Sequence, residues 1–346
     1  MAPASRRLTT PVPSVAVVIP CRNEARTIAA LLDALWAQQR RPDDVVVVDD
    51  RSNDNTAAAI SDWVAGHVGM TVRVIAGEGR GIAAAVNAGV SATSADVIVR
   101  LDGHSAPASD YIACALETLA RPGTAVVGGV WVIVPGGNSI VARAIARAVS
   151  HPLGSGGAAY RHADGKTGEI RAVETVPFGV FRRALWTSIG GFDEALLTNE
   201  DYDFNYRARS AGGHVILDGR MRSTYRARPT LGALARQYSR YGYWKARMLA
   251  KDVRSLHPRQ LAAGLVLPWV VVTIVAALET DVPAVWGVAA LYPFAVLLAS
   301  LQIAVSARSV PVGAASAAAL VTTHLCWSAG FLRGAMRLSP PRDAQS

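Results

Sequence analysis

The stretch of sequence that decides the fold is Val97-Ile98-Val99-Arg100-Leu101-Asp102-Gly103-His104. It begins as a run of strand-forming residues and stops abruptly at an acid, a glycine and a histidine. In an open α/β sheet, ligands bind at the carboxyl ends of the strands. Because Gly103 lacks a Cβ, a tight turn there can bring Asp102 and His104 to one divalent cation. We predict a metal-diphosphate site here; taken alone, the same residues also fit a plain turn.

Three further strands are predicted before this one, each followed by a helix. The strands are Val15 to Pro20, Val45 to Asp49 and Thr71 to Ala76. Helical spacing of apolar residues follows each of them, over residues 25–39, 56–63 and 82–90. Strands that alternate with helices at this spacing predict right-handed βαβ crossovers and a parallel sheet.

Polar residues cluster at the end of every predicted strand. Asp49 and Asp50 can accept hydrogen bonds from a base or ribose, and Arg80, between Gly79 and Gly81, can approach phosphate or base. This glycine-rich segment has neither the Walker motif nor the GxGxxG spacing of dinucleotide folds, and a flexible turn is its alternative interpretation. Together, the clusters favour a nucleotide site at one edge of the sheet.

Length and composition fit a globular domain with additional apolar material. The 346 residues suffice for one large or two modest domains, and the 51% hydrophobic share is high for a purely soluble protein. Cys21, Cys114 and Cys326 lie far apart, so neither a disulfide framework nor a zinc knuckle is predicted. Residues 1–13 are polar, and we expect no secretory signal and an N-terminal part that stays in the cytosol.

The net charge of +9 is concentrated in one segment. Between Gly219 and Arg259, eleven Lys or Arg residues stand against one acid, Asp252. The segment directly precedes apolar runs, where basic residues attract anionic lipid headgroups. Since no recognition module accompanies this charge, we predict no nucleic-acid partner.

Three uncharged runs follow the basic segment. Leu261 to Leu278 has 18 residues, Val282 to Ala307 has 26 and Val310 to Leu332 has 23, and a membrane span needs about 20. The first two are predicted spans. The third is a span or a re-entrant or interfacial segment, because Arg333, Arg337 and Arg342 beyond it would otherwise lie outside. Basic residues before the first run predict a cytoplasmic N-terminal part.

The order and spacing of the motifs resemble the inverting glycosyltransferases of family 2, which have the GT-A fold. Among them, the chain is most similar to succinoglycan-type bacterial exopolysaccharide glucosyltransferases with C-terminal membrane helices. The resemblance implies a polar tail at 1–13, a GT-A domain at 14–250, a membrane region at 251–338 and a tail at 339–346. It runs from Val15 to about Tyr243 through Pro20-Cys21-Arg22-Asn23-Glu24, Val45 to Thr56, Gly79-Arg80-Gly81, Asp102-Gly103-His104, Gly190 to Asp193, Asn199-Glu200-Asp201 and Gln237 to Tyr241.

The resemblance also implies roles for these residues. Asp102 and His104 stand in place of the family's DxD motif and would hold Mg or Mn. Asp201 would be the base that deprotonates the acceptor hydroxyl, with Glu200 as its support or an acceptor binder; the alternative is that these acids only stabilise a helix N-terminus. The residues expected to bind the nucleotide-sugar donor are Pro20, Asn23, Glu24, Asp49, Asp50, Arg80, Asp102 and Gly103.

Four later residues are candidates for binding the acceptor or the diphosphate. Gly179 lies in a short predicted strand where a backbone can approach a sugar. Gln237 and Arg240 share one helical face, although Arg240 could instead be lipid-facing charge. Tyr241 replaces the Trp of the family's QxxRW motif, which favours single-sugar addition over processive synthesis. The loop from His151 to Glu174 is a mobile lid or plain surface, and neither His151 nor His162 is assigned as a ligand.

The expected function is therefore metal-dependent, inverting transfer of a hexose from UDP-glucose or a similar donor to a lipid-linked sugar. The expected place is the cytoplasmic side of the inner membrane, and the oligomeric state is not assigned. The alternatives are a polyprenyl-phosphate sugar synthase, a membrane nucleotidyltransferase and a non-enzymatic membrane scaffold.

Overall fold

The computed structural model describes residues 12–161, 168–249, 251–255, 257–280 and 282–337. Most of the predicted N-terminal tail, the C-terminal tail, His162 and Arg342 lie outside these ranges. The strands are β1 Val15–Cys21, β2 Asp44–Asp49, β3 Val72–Ala76, β4 Val97–Arg100, β5 Ala106–Pro107, β6 Thr124–Val134, β7 Ile170–Ala172, β8 Val180–Arg182 and β9 His214–Arg226. The helices are α1 Ile28–Trp36, α2 Thr56–Gly66, α3 Ile82–Ser91, α4 Tyr111–Leu119, α5 Ile140–Ser150, α6 Pro152–Ser155, α7 Arg183–Ser188, α8 Glu200–Ser210, α9 Leu231–Leu249, α10 Pro258–Thr280, α11 Pro283–Ala307 and α12 Val310–Met336.

One mixed sheet organises the N-terminal part, in the order β3-β2-β1-β4-β8-β6-β9-β5, with β7 paired to β9. The first four strands are parallel, as predicted. Beyond β4 the sheet departs from the predicted parallel arrangement, because β8 runs antiparallel to both β4 and β6. The carboxyl ends of β1, β2, β3 and β4 therefore share one edge, which positions the site.

The core follows from the alternation of side chains along β1. Val15, Val17 and Ile19 pack on the face covered by α1 and α2, and Ala16 and Val18 pack on the face covered by α3. The parallel strands β1, β2 and β4 are nearly continuous runs of apolar residues because both of their faces are buried, whereas β3 at the edge of the sheet is partly exposed.

Gly89 allows α3 to lie directly on the sheet. A Cβ at this position would lie 2.4 Å from Cγ1 of Val18 in β1. The close approach explains why α3 is rich in small residues.

Strand β9 and helix α4 are missing from the sequence prediction. Arg220, Arg222 and Arg226 give β9 the appearance of a charged segment. In the structure, Asp218 is fully buried and accepts a hydrogen bond from Thr118 Oγ1 at 2.7 Å, while the Arg220 guanidinium lies 2.9 Å from the same carboxylate. The charged residues of β9 are therefore accommodated by side chains about a hundred residues away in sequence, which the local pattern does not show.

The three C-terminal helices α10, α11 and α12 are long and apolar enough to cross a membrane. The third apolar run forms one continuous helix of 27 residues, which does not have the form of a re-entrant loop. Helix α12 packs along α9, and glycines make the contact close. A Cβ on Gly242 would lie 2.0 Å from Trp327 O, and one on Gly330 would lie 2.0 Å from Ser239 O.

Candidate active site

A cavity of about 580 Å³ brings the two predicted acidic motifs together. Asp102 and His104, which follow β4, line it together with Glu200 and Asp201, which begin α8. The strand-end position of the first pair puts it at the edge where ligands bind in such sheets. The second pair reaches the same space from a segment about one hundred residues further along the chain.

Arg100 joins the two motifs. It belongs to β4, and its side chain is only 4% exposed. Its Nη2 atom lies 3.1 Å from Asp102 Oδ1 and 2.9 Å from Glu200 Oε1. One buried cation therefore balances two carboxylates and fixes their separation. Sequence reasoning missed it, although a charged residue inside an apolar strand is a usable signal.

The environment of Glu200 and Asp201 favours their protonated forms. Burial raises the pKa of Glu200 to about 7, against the opposing charge of Arg100. Burial also raises the pKa of Asp201, again opposed by Arg100. A carboxylate with a raised pKa is a better proton acceptor once ionised.

Both acids also serve the helix. Glu200, Asp201 and Asp203 lie in the first turn of α8. Their charges complement the N-terminal end of the helix dipole, as the alternative interpretation predicts. Placement in the cavity and stabilisation of the helix are therefore compatible.

His104 is oriented by a second carboxylate. Its Nδ1 atom lies 2.8 Å from Glu24 Oε1, and this hydrogen bond raises the pKa of His104. The other ring nitrogen, Nε2, is left for a ligand. Between the two candidate ligands, a Cβ on Gly103 would lie 2.8 Å from Glu24 Cγ and 2.9 Å from Cys21 Sγ. Only glycine fits this turn without displacing its neighbours.

Asp50 holds the glycine-rich segment. It is buried, and its Oδ1 and Oδ2 atoms accept hydrogen bonds from the backbone N–H groups of Gly79 and Gly81 at 2.6 and 3.0 Å. Asp49 caps the neighbouring turn by accepting from Ser52 N–H at 2.9 Å. Asp50 thus shapes the segment that carries Arg80.

Arg80 lies at the surface beside this segment and pairs with Glu78 and Glu194. Asn23 bridges two loops, because its N–H donates to Ser52 Oγ and its Oδ1 accepts from Asn53 N–H, both at 2.9 Å. Eight of the predicted site residues lie outside the cavity lining, although Glu24 touches His104. These eight are Pro20, Asn23, Glu24, Asp49, Asp50, Arg80, Gly103 and Gly179.

Helix α9 contributes the predicted acceptor-binding or diphosphate-binding residues to the cavity. Gln237, Arg240 and Tyr241 all line it. The Gln237 amide donates to the hydroxyls of Tyr225 and Tyr241, each at 3.0 Å. Arg240 is exposed, and the described part of the chain offers its guanidinium no ion pair.

Gly179 serves the sheet. A Cβ there would lie 3.0 Å from Val126 Cγ1 in β6, so the glycine relieves crowding between strands. Its neighbour Phe178, at φ +49°, lines the cavity.

Two buried cations were not predicted. Arg161, in the loop assigned as a lid or surface, is 7% exposed and lines the cavity below Trp131, with its guanidinium 5.2 Å from that ring. Lys245 on α9 is 3% exposed, and its Nζ lies 3.7 Å from the ring centre of Tyr202. The local sequence carries no signal for either, because loop arginines and lysines are usually solvated. His151, considered as a ligand and set aside, contacts Gln302 Oε1 at 3.0 Å.

The donor set fits a divalent cation that shares its coordination with a substrate. Within residues the structure describes, no group of three or more His, Cys, Asp or Glu side chains is placed to enclose a metal ion. Asp102 and His104 offer one oxygen and one nitrogen ligand. Mg and Mn accept such sites when phosphate oxygens and water fill the remaining positions.

Comparison with known proteins identifies the family of the N-terminal domain. Residues 16–187 match the family model "Glycosyl transferase family 2". The succinoglycan biosynthesis protein ExoA of Rhizobium meliloti (strain 1021) is 29% identical over 320 residues, covering 92% of this chain and 93% of ExoA.

A second relative is a Methanococcus voltae enzyme, the dolichyl N-acetyl-alpha-D-glucosaminyl phosphate 3-beta-D-2,3-diacetamido-2,3-dideoxy-beta-D-glucuronosyltransferase. It is 26% identical, covering 68% of this chain and 74% of that protein. The mannosyltransferase PcManGT of Pyrobaculum calidifontis, solved with GDP-Man and Mn2+, has a similar fold, with a TM-score of 0.59, 22% identity, and coverage of 93% of this chain and 87% of that one. The chain belongs to the family 2 glycosyltransferases and carries a GT-A domain followed by three apolar helices.

Proposed function

We propose that the chain transfers a hexose, with inversion, from a nucleotide-sugar to a lipid-linked sugar. The observation that carries this proposal is that one cavity is lined by Asp102, His104, Glu200 and Asp201 and also by residues of the three apolar helices. A donor, a base and a lipid-borne acceptor need such a shared space.

Asp201 is the proposed base. As the bond to the anomeric carbon forms, its carboxylate takes the proton of the attacking acceptor hydroxyl, and the nucleoside diphosphate leaves from the opposite face of the sugar. One displacement inverts the anomeric centre. Glu200, held by Arg100 at 2.9 Å, keeps the start of α8 in position.

Asp102 and His104 are the residues that would hold Mg or Mn. Bound there, the cation supplies charge stabilisation for the departing diphosphate. Glu24 orients the imidazole of His104 for this task. Asp50 holds the glycine-rich segment that carries Arg80, and we place the donor, UDP-glucose or a similar UDP-hexose, beside this segment.

The acceptor assignment is supported by the membrane helices and the relatives. The Methanococcus voltae protein is named for transfer to a dolichyl phosphate-linked sugar, and ExoA is named for succinoglycan biosynthesis. Gln237, Arg240 and Tyr241 face the same cavity and are the proposed acceptor contacts. The basic segment before α10 favours a catalytic domain on the cytoplasmic side of the inner membrane.

The test is a screen of nucleotide-sugars with Mg or Mn, using the full chain in detergent and the variants Asp102→Ala and Asp201→Asn. Asp102→Ala should lose donor binding, while Asp201→Asn should keep donor binding and lose transfer. Unaffected turnover in both variants would contradict the assignments. A product with one sugar that mild acid releases from the lipid phosphate would contradict the lipid-linked sugar acceptor.

A further inference from the structure

The lining of the cavity combines acidic and apolar groups. The carboxylates of Asp102 and Asp201 belong to it. Ala263 and Val266 of α10 and Trp327 of α12 line the same cavity. These helices are long and apolar enough to cross a membrane, so this part of the lining adjoins the expected lipid phase.

Arg161 and Lys245 lie in the same lining with neutral partners. Arg161 Nη1 donates to the hydroxyl of Tyr238 at 3.1 Å, and Lys245 Nζ donates to the carbonyl of Ser255 at 2.9 Å. Within the described ranges, neither has a carboxylate at ion-pair distance, whereas Arg100 has two. Glu174 and Asp203 act on Lys245 from beyond ion-pair distance, and they pair with Arg259 and Arg207. A buried charge with neutral hydrogen-bond partners is unfavourable, and an anionic ligand would compensate it.

The environment of Lys245 is consistent with an absent anion. Burial lowers the pKa of Lys245 to about 7. A phosphate beside the amine would reverse this effect by favouring the charged form.

Building on the proposed function, we propose that Arg161 and Lys245 bind the phosphate or diphosphate of the acceptor, and that its hydrocarbon chain lies against α10 and α12. The carboxylates, the two basic side chains and the apolar wall of one cavity then match the sugar, the phosphate and the hydrocarbon of a lipid-linked sugar. This anion site is separate from Asp102 and His104, which serve the donor.

The experiment measures binding by the full chain in detergent of three probes: farnesyl diphosphate, inorganic pyrophosphate and farnesol. Arg161→Met and Lys245→Met should each weaken farnesyl diphosphate binding by about tenfold or more, the loss of one charge-assisted contact. Lys245→Arg should retain binding. Arg236→Met, on the same helix and outside the cavity lining, is the matched control and should bind as the unaltered chain does.

A second variant tests the hydrocarbon part. Ala263→Phe narrows the apolar part of the cavity, and it should weaken the binding of farnesyl diphosphate without weakening the binding of pyrophosphate. Unchanged farnesyl diphosphate affinity in both cation variants, or farnesol binding as tightly as farnesyl diphosphate, would overturn the anion site.

UDP-hexose binding, measured in parallel, separates this inference from the proposed function. Cation variants that keep UDP-hexose binding and lose farnesyl diphosphate support the inference. Loss of both ligands would show a structural role and overturn it. A chain that binds no nucleotide-sugar, yet binds farnesyl diphosphate through Arg161 and Lys245, would refute the proposed function alone.

Discussion

Arg100 Nη2 lies 2.9 Å from Glu200 Oε1, and the two side chains are only 4% and 6% exposed. The same nitrogen contacts Asp102 at 3.1 Å. Strand β4 and helix α8 are thereby joined by one buried cation. The separation of Asp102 and Glu200, the residue directly before the proposed base, is therefore set by a residue that belongs to neither motif.

Replacing Arg100 by Met should therefore be costly. It leaves the buried Glu200 and the partly buried Asp102 without their cation, and breaking a buried pair such as Arg100–Glu200 costs about 3–5 kcal/mol in free energy of unfolding. Thermal unfolding in detergent measures the loss. Arg73→Met on β3 is the matched control, because its ion pair with Asp44 is exposed and is worth about 0–1 kcal/mol.

The double variant Arg100→Met/Glu200→Gln separates pairing from packing. Removing the uncompensated carboxylate should restore part of the lost stability, giving a coupling energy of about 1 kcal/mol or more. Additive losses in the two single variants would mean that the 2.9 Å contact contributes little.

Asp50→Ala should weaken donor binding without altering the proposed base, Asp201. The carboxylate fixes the N–H groups of Gly79 and Gly81, so its loss frees the segment that carries Arg80. We expect KM for the nucleotide-sugar to rise by about tenfold, with a smaller change in kcat. Steady-state kinetics check this, with the exposed Asp62→Ala as control. A fall in kcat at constant KM would contradict it.

Gly242→Ala should destabilise the contact between α9 and α12. The added Cβ would meet the backbone carbonyl of Trp327 at 2.0 Å, and backbone cannot move aside cheaply. Overpacking of this kind costs about 1–3 kcal/mol. Gly232→Ala on the same helix is the control, since the nearest atom lies 3.8 Å away at the end of Arg236. Equal melting temperatures for the two variants would argue against close packing.

Lys245 predicts a pH dependence of stability. Burial is the main cause that lowers its pKa from 10.5 to about 7. Between these values the unfolded chain holds a proton that the folded chain lacks. The free energy of unfolding should therefore rise with pH across this window, by at most about 1.4 kcal/mol per pH unit.

Melting temperatures of wild type and Lys245→Met in detergent, between the pKa of about 7 and the ordinary value of 10.5, measure this slope. The Met variant should lose it, because it has no amine to protonate. Lys251→Met, which removes an exposed lysine paired with Asp193, should keep it. A slope that survives in Lys245→Met would assign the dependence to another group.

The apolar patterns predicted most of the secondary structure. The valine-rich runs form β1, β2 and β4, because a strand that is buried on both faces needs apolar residues at consecutive positions. The capping residue Ser139 begins α5, and its hydroxyl accepts from Ala142 N–H at 3.1 Å. Strand β9 was not predicted because it carries several arginines, and Arg220 finds its partner Glu117 in the distant helix α4.

The sequence by itself determined the alternation of strands and helices, the placement of Asp102 and His104 at a strand end, and the three apolar helices. These features depend on the local pattern of apolar and polar residues, which shows which faces of each strand or helix are buried. Only the tertiary structure decided that Arg100 bridges to Glu200, one hundred positions away, and that Arg161 and Lys245 enter the same cavity. The physical reason is that burial and charge pairing arise between segments, and no single segment encodes its partner.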